Sequence, residues 1–159
     1  MIEVVDHDPR WAVRFEGLYD RYQAALAGVA VIGIEHVGST SVPGLAAKPV
    51  IDVDIIVGVD HVADAIRAME GVGFRSLGEC GIEDRWALEA PPGWPRANTY
   101  VVVDGCLALR NHLGVRDELR RDDALRDEYA ALKRSLAPQV DDIDHYVEAK
   151  SAFLSTVLA

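Results

Sequence analysis

The chain has 159 residues with 26 acidic against 16 basic side chains, a formal net charge of −10, and half of its residues are apolar. That balance excludes a disordered chain, and the length predicts one domain over residues 1–159 with a sizeable buried core. The acidity and the lack of any Lys/Arg run exclude a grip on nucleic acid through broad phosphate neutralisation, but not the binding of a small anionic nucleotide beside screening cations.

No apolar run approaches the roughly 20 residues of a membrane span, and the first residues lack the basic and apolar regions of a signal peptide. A cytoplasmic protein without membrane contact is the expectation. Cys80 and Cys106 form no close metal-binding pair and are expected to be free buried thiols. Nothing in the chain specifies an oligomeric state.

Asp8 and Pro9 predict a helix start, and Trp11, Val13, Phe15, Leu18, Tyr19, Tyr22 and Leu26 follow largely at helical spacing up to Ala27. Val29 to Val37 is rich in β-branched residues and ends at Gly38-Ser39-Thr40-Ser41, a strand running into a turn. Val42 to Pro49 follows as a loop or short helical turn closed by proline. Val50 to Val57 predicts a strand in which Asp52 and Asp54 share one face. His61 to Glu70 predicts a helix stopped by Gly71, and Phe74 to Leu77 and Trp86 to Glu89 predict short strands before a Pro/Gly loop at residues 91–95.

Asn98 to Val103 resumes strand character and stops at Asp104-Gly105. Leu107 to Arg120, Asp123 to Leu136 and Asp142 to Leu158 predict three helices, with Asp122 and Asp141 as caps and Pro138 as a break. There is no internal repeat. Strands followed by helices predict an α+β fold, a mixed β-sheet with helices packed on one face and a helical C-terminal part.

A carboxylate on a half-buried sheet face costs several kcal/mol unless it is paired, protonated or bound to a cation, and Asp52 and Asp54 meet that cost twice. Two hard oxygen donors with open positions suit Mg²⁺, or Mn²⁺, which takes carboxylates together with water and substrate phosphates. Upstream, Gly38 permits close backbone approach, while Ser39 and Thr40 offer hydroxyls and turn amides to phosphate oxygens.

Gly-Ser, a short connector and then Asp-x-Asp between apolar flanks resembles the signature of the nucleotidyltransferase superfamily. The longer run from Glu35 through Gly38-Ser39-Thr40-Ser41-Val42-Pro43-Gly44 to Asp54 closely resembles the central motif of the GrpB-like family, usually assigned to that superfamily. Asp8-Pro9-x-Trp11, Leu113 to Asp117, Glu128-Tyr129 with Leu132-Lys133, and Tyr146 with Lys150 and Phe153 also fit the family pattern. The resemblance implies attack of an acceptor hydroxyl or phosphate on the α-phosphorus of a nucleoside triphosphate, transferring a nucleoside monophosphate, and the small size and acidity of the chain make a small-molecule acceptor the expectation. Asp52 and Asp54 would be catalytic metal ligands, with Gly38, Ser39 and Thr40 on the triphosphate.

Family members commonly carry a His-x-His strand where this chain has Asn98-Thr99-Tyr100, and no acid occurs there before Asp104. Asn98 and Tyr100 share a face and are expected to orient substrate or water. His36, Lys48, Arg116 and Lys150 are the other expected substrate contacts, Arg116 and Lys150 because they match family motifs. Arg110, His112 and Lys133 are further anion candidates. The missing third acid motivates a competing expectation, a nucleotide- or metabolite-binding module without turnover; an accessory partner of another enzyme is the third.

Overall fold

Period-two alternation divides the strand residues of this chain between two differently covered sheet faces. The computed structural model describes residues 2–138 and 143–158. Its strands are β1 (Val31–Val37), β2 (Ile51–Val57), β3 (Arg75–Gly78), β4 (Arg85–Glu89) and β5 (Ala97–Val103), arranged β1-β2-β5-β4-β3. Only β2 and β5 run parallel; the other neighbours are antiparallel. A parallel pair needs a crossover, supplied here by α2 (Val62–Glu70) and the β3–β4 hairpin.

α1 (Arg10–Ala25) and α2 cover one face, with Trp11, Leu18, Tyr22, Ala65 and Met69 packed on Val53, Ile55, Val57 and Val101. Each large apolar side chain removed from water there contributes roughly 1.5–3 kcal/mol. The C-terminal part comprises α3 (Leu107–Arg121), α4 (Asp123–Leu136) and α5 (Ile143–Val157). On the opposite face, Ala108 and Leu109 at the start of α3 pack on Ile56 and Val102. Further along, Leu119 of α3 and Tyr129 of α4 enclose Val42 and Leu45, with Phe153 and Leu154 of α5 against them. The α+β class and mixed sheet are therefore present, with the C-terminal helices apart from α1 and α2.

The element boundaries fall close to those expected, for identifiable reasons. Asp8 Oδ1 accepts from the Arg10 amide at 2.9 Å and Asp122 Oδ1 from the Leu125 amide at 3.0 Å, so both acids satisfy free amides of a first turn. Asp141 lies outside the described residues. The helical turn expected within Val42 to Pro49 forms earlier, at Ser39–Ser41, and the later loop is tied down by paired backbone bonds between Val5 and Ala47. Cys106 is a buried free thiol as expected, whereas Cys80 is exposed, because it sits at positive φ in the β3–β4 turn. Among the described residues no helix is long and apolar enough to cross a membrane.

The tie between the α1 layer and β5 is a buried hydrogen bond of 2.6 Å between the Tyr22 hydroxyl and Thr99 Oγ1. Tyr22→Phe leaves Thr99 without its partner, so unfolding stability should fall by about 1–3 kcal/mol in urea denaturation. An unchanged denaturation midpoint would mean that packing alone holds α1 to β5.

Candidate active site

The register of β2 against its neighbours builds the site. Asp52 lies beside Asn98 and Asp54 beside Tyr100 in the parallel pairing, while Val37 and Glu35 of β1 oppose the same two acids. Val53 and Ile55 point into the α1 core, so the acids occupy the other face. Asp54 is fully buried. His112 of α3 donates from Nδ1 to Asp54 Oδ2 at 2.7 Å, while Oδ1 has no partner among the described residues. Asn98 Nδ2 donates to Asp52 Oδ1 at 2.8 Å. Burial raises the Asp52 carboxyl above its ordinary range, and the Asn98 bond and the charges of Lys150 and His112 oppose that rise.

Gly38 has φ +74, and a Cβ there would overlap the Asp52 carboxylate. Glycine is thus what lets the turn close over the acid. The Ser41 hydroxyl donates back to the Gly38 carbonyl and fixes the turn.

A cavity of about 320 Å³ opens between this turn, the Asp52 face and the C-terminal helices. Gly38, Ser39, Thr40, Lys48, Asp52, Asn98, Tyr100, Arg116 and Lys150 all line it, as do Tyr129, Lys133 and Tyr146. Burial raises the Tyr129 hydroxyl above its ordinary range, and Ser39 beside it opposes that rise. Among the described residues, Lys133 Nζ and the Tyr146 hydroxyl are buried without a partner. Lys133 stands 4.6 Å from the centre of the Tyr129 ring and Lys150 5.0 Å from that of Tyr146. Burial pushes the Lys133 ammonium down to about 7, helped by Lys150 and Arg134 and opposed by Asp52. Burial likewise lowers Lys150 and pushes the Tyr146 hydroxyl up to about 12.

His36 is not brought to the cavity. It opposes Val53, so alternation turns its ring to the α1 side, where it stacks on Phe15 at 4.8 Å and bonds Thr40 Oγ1 at 2.9 Å. Burial beside Arg120 and Arg116 pushes it down to about 4, which keeps it neutral. It supports Thr40 from behind. Arg116 does reach the cavity, but its charge is committed to Glu35 at 2.7 Å and to the His36 carbonyl at 3.2 Å.

The bond of His112 to Asp54 and the arrival of Tyr129 and Tyr146 beside lysines were not evident from motif matching. A signal was present nonetheless. Tyr129/Lys133 and Tyr146/Lys150 are both Tyr-x-x-x-Lys, a spacing that stacks the two side chains on one helix face.

Among the described residues no three His, Cys, Asp or Glu groups stand together as a metal cage. A divalent cation nonetheless fits the donors. Asp54 keeps one buried, unpartnered carboxylate oxygen next to a second carboxylate, and Mg²⁺ is commonly held by one or two carboxylates plus substrate phosphates.

The sequence pattern of the GrpB protein family matches residues 1–159. The chain belongs to the GrpB family. The UPF0157 protein YqkA of Bacillus subtilis is 32% identical over 157 residues, 98% of this chain but 46% of that protein, so the chain spans about half of YqkA. The crystal structure of the conserved protein GrpB from Enterococcus faecalis superposes with a TM-score of 0.78 at 30% identity, covering 99% of this chain and all of that one. Cid1 in complex with its product ApU matches at a TM-score of 0.58 and 15% identity, over 81% of this chain and 42% of that one. A Cid1 poly(U) polymerase chain bound to MgATP matches at 0.53 and 12% identity, over 82% and 45%. The GrpB fold is thus nucleotidyltransferase-like.

The buried Lys133 makes a pH prediction. Its ammonium titrates at about 7 in the folded protein against an ordinary 10.5, so between those values the unfolded chain holds the extra proton. Stability should therefore rise with pH across that window and be lowest below it. Lys133→Met should raise stability at pH 6 by an amount of order a few kcal/mol and flatten the rise toward about pH 10, followed by urea denaturation. A variant that keeps the parent's slope would assign that slope to other groups.

Proposed function

We propose that this GrpB protein is a metal-dependent nucleotidyltransferase that moves a nucleoside monophosphate from a nucleoside triphosphate to a small-molecule acceptor. The observation that carries this reading is that two sets meet at one cavity: the carboxylates, Asp52 in its lining and Asp54 two residues along the same strand face with a free buried oxygen, and the Lys133 ammonium and Tyr146 hydroxyl, which also line it and have no partner among the described residues. Each set lacks what the other's ligand brings. A triphosphate with its divalent cation satisfies both.

In this reading Ser39 and the turn amides hold terminal phosphates, and Lys48, Lys133 and Lys150 neutralise them. Asn98 and His112 keep the two carboxylates oriented. Asp52 and Asp54 would hold Mg²⁺ or Mn²⁺, which would supply neutralisation of phosphate charge. An acceptor oxygen bonds to the α-phosphorus as the bridging oxygen to the β-phosphate is released. Pyrophosphate leaves with the bonding pair and the acceptor proton passes to water. Catalysis is then mainly positioning and charge neutralisation. One observation favours a second reading, a nucleotide-binding module without turnover: the residue beside Asp52 on β5 is the neutral Asn98.

The reading predicts triphosphate binding that requires metal. Calorimetric titration of ATP, GTP, CTP and UTP should show affinity at least about tenfold greater with Mg²⁺ than with a chelator, the scale of one well-placed charge contact. Asp52→Asn with Asp54→Asn should abolish that difference; relief of like-charge repulsion is set against loss of the Asp54–His112 pair, so circular dichroism checks that the variant is folded. Equal affinity in both conditions would remove the metal from the mechanism, and release of pyrophosphate on adding candidate acceptors would separate turnover from simple binding.

A further inference from the structure

The sheet face of the site carries a further cation, separate from those of the cavity. Arg85 opens β4 opposite Val102, which lies in the same row of the sheet as Ile56, so its side chain shares the face of Asp54 and Tyr100. Its guanidinium carbon stands 4.4 Å from the centre of the Tyr100 ring. Among the described residues nothing accepts from it, and Nε is buried without a partner. Arg10, Arg75, Arg116 and Arg126, by contrast, each hold a carboxylate. A planar cation, partly buried and free of acids, is suited to bind an oxyanion through its fork of donors.

Its place in the fold says which oxyanion. Ser39 follows the strand row of Asp52 on the β1 side, while Arg85 lies in the row of Val102 on the far side of β5, with Asp54 and Tyr100 between them. Displacement at phosphorus is roughly in line, so with pyrophosphate leaving toward Ser39 and Lys133 the incoming oxygen arrives across the carboxylates, from the side of Tyr100. We propose that Tyr100 and Arg85 form the acceptor subsite, and that the acceptor is a small hydroxyl compound that also bears a carboxylate or phosphate held by Arg85. This rests on the nucleotidyl-transfer reading. The acceptor hydroxyl oxygen forms the new bond to the α-phosphorus, the bond from that phosphorus to the bridging oxygen breaks, pyrophosphate takes the electron pair, and the hydroxyl proton passes to water. Arg85 changes no bond; it fixes the far end of the acceptor.

The test is calorimetric titration of the full chain, with Mg²⁺ and α,β-methylene ATP present, using glycerol, glycerate and glycerol 3-phosphate as probes. At least one anionic probe should bind and glycerol should not, the tighter of the two identifying the oxyanion. Arg85→Gln should weaken that probe by at least about tenfold, and Arg85→Lys, which keeps a cation over Tyr100, by less; Lys133→Met should change it by under about twofold while weakening the ATP analogue. Circular dichroism on each variant shows that it is folded, and Arg85→Lys gives the ranking even where Arg85→Gln does not fold. Absence of binding by both anionic probes, or binding indifferent to Arg85, overturns the assignment. Probe binding that depends on Lys133 overturns it too but leaves the phosphate end in place. Failure of the ATP analogue to bind, with the probe still on Arg85, overturns the transfer reading and with it the acceptor role.

Discussion

A carboxylate with no access to solvent, Asp54, stands on a central strand, and much of the surrounding structure answers to it. Leaving such a group uncompensated in a low-dielectric place costs several kcal/mol. α3 crosses this face of the sheet and delivers His112 to one oxygen; the other is left to whatever the site binds. The docking of α3 is reinforced by Arg116, which reaches across to Glu35 in the same sheet row. Gly38 completes the arrangement because only a residue without a Cβ lets the turn lie against Asp52. The helix thus answers to the charge of Asp54, and the glycine to the bulk of the Asp52 carboxylate.

The cavity has two walls of different origin. The sheet and its Gly-Ser turn supply the carboxylates and hydroxyls, and α4 and α5 supply two lysines, each against a tyrosine ring. The rings hold the ammonium groups without neutralising them, since a π face attracts a cation but carries no net charge. A carboxylate partner would satisfy Lys133 permanently and remove its use to a ligand. The similarity to Cid1 covers the fold of this chain over part of the longer Cid1 chain, so the GrpB protein's own residues carry the argument about chemistry.

Local features were the most legible in the sequence. Period two alone puts Asp52 and Asp54 on one face, and cap residues such as Asp122 mark a helix start to within a residue. The α+β class follows from element order. The side of the sheet on which His36 falls was missed, because its phase depends on the pairing of Val37 with Asp52, a contact between strands. Lys133 was already an anion candidate, but its lack of a partner, like that of Tyr146 and Arg85, was obscured for the same reason, since absence of a partner after folding is not a property of a sequence window. Cys80 was misjudged through the general tendency of thiols to be buried, which a turn residue at positive φ does not follow.

The overall charge of −10 and the lysine-lined cavity act on an approaching anion at different ranges. At distances beyond about 8 Å in physiological salt the whole-molecule field is screened, whereas contacts with partly buried charges inside the cavity are screened much less. A negative ligand therefore meets repulsion first and attraction last. Its association rate should increase with ionic strength, the reverse of an enzyme that steers its substrate by net charge, while its residence once bound is governed by the few cations that the acidic exterior surrounds.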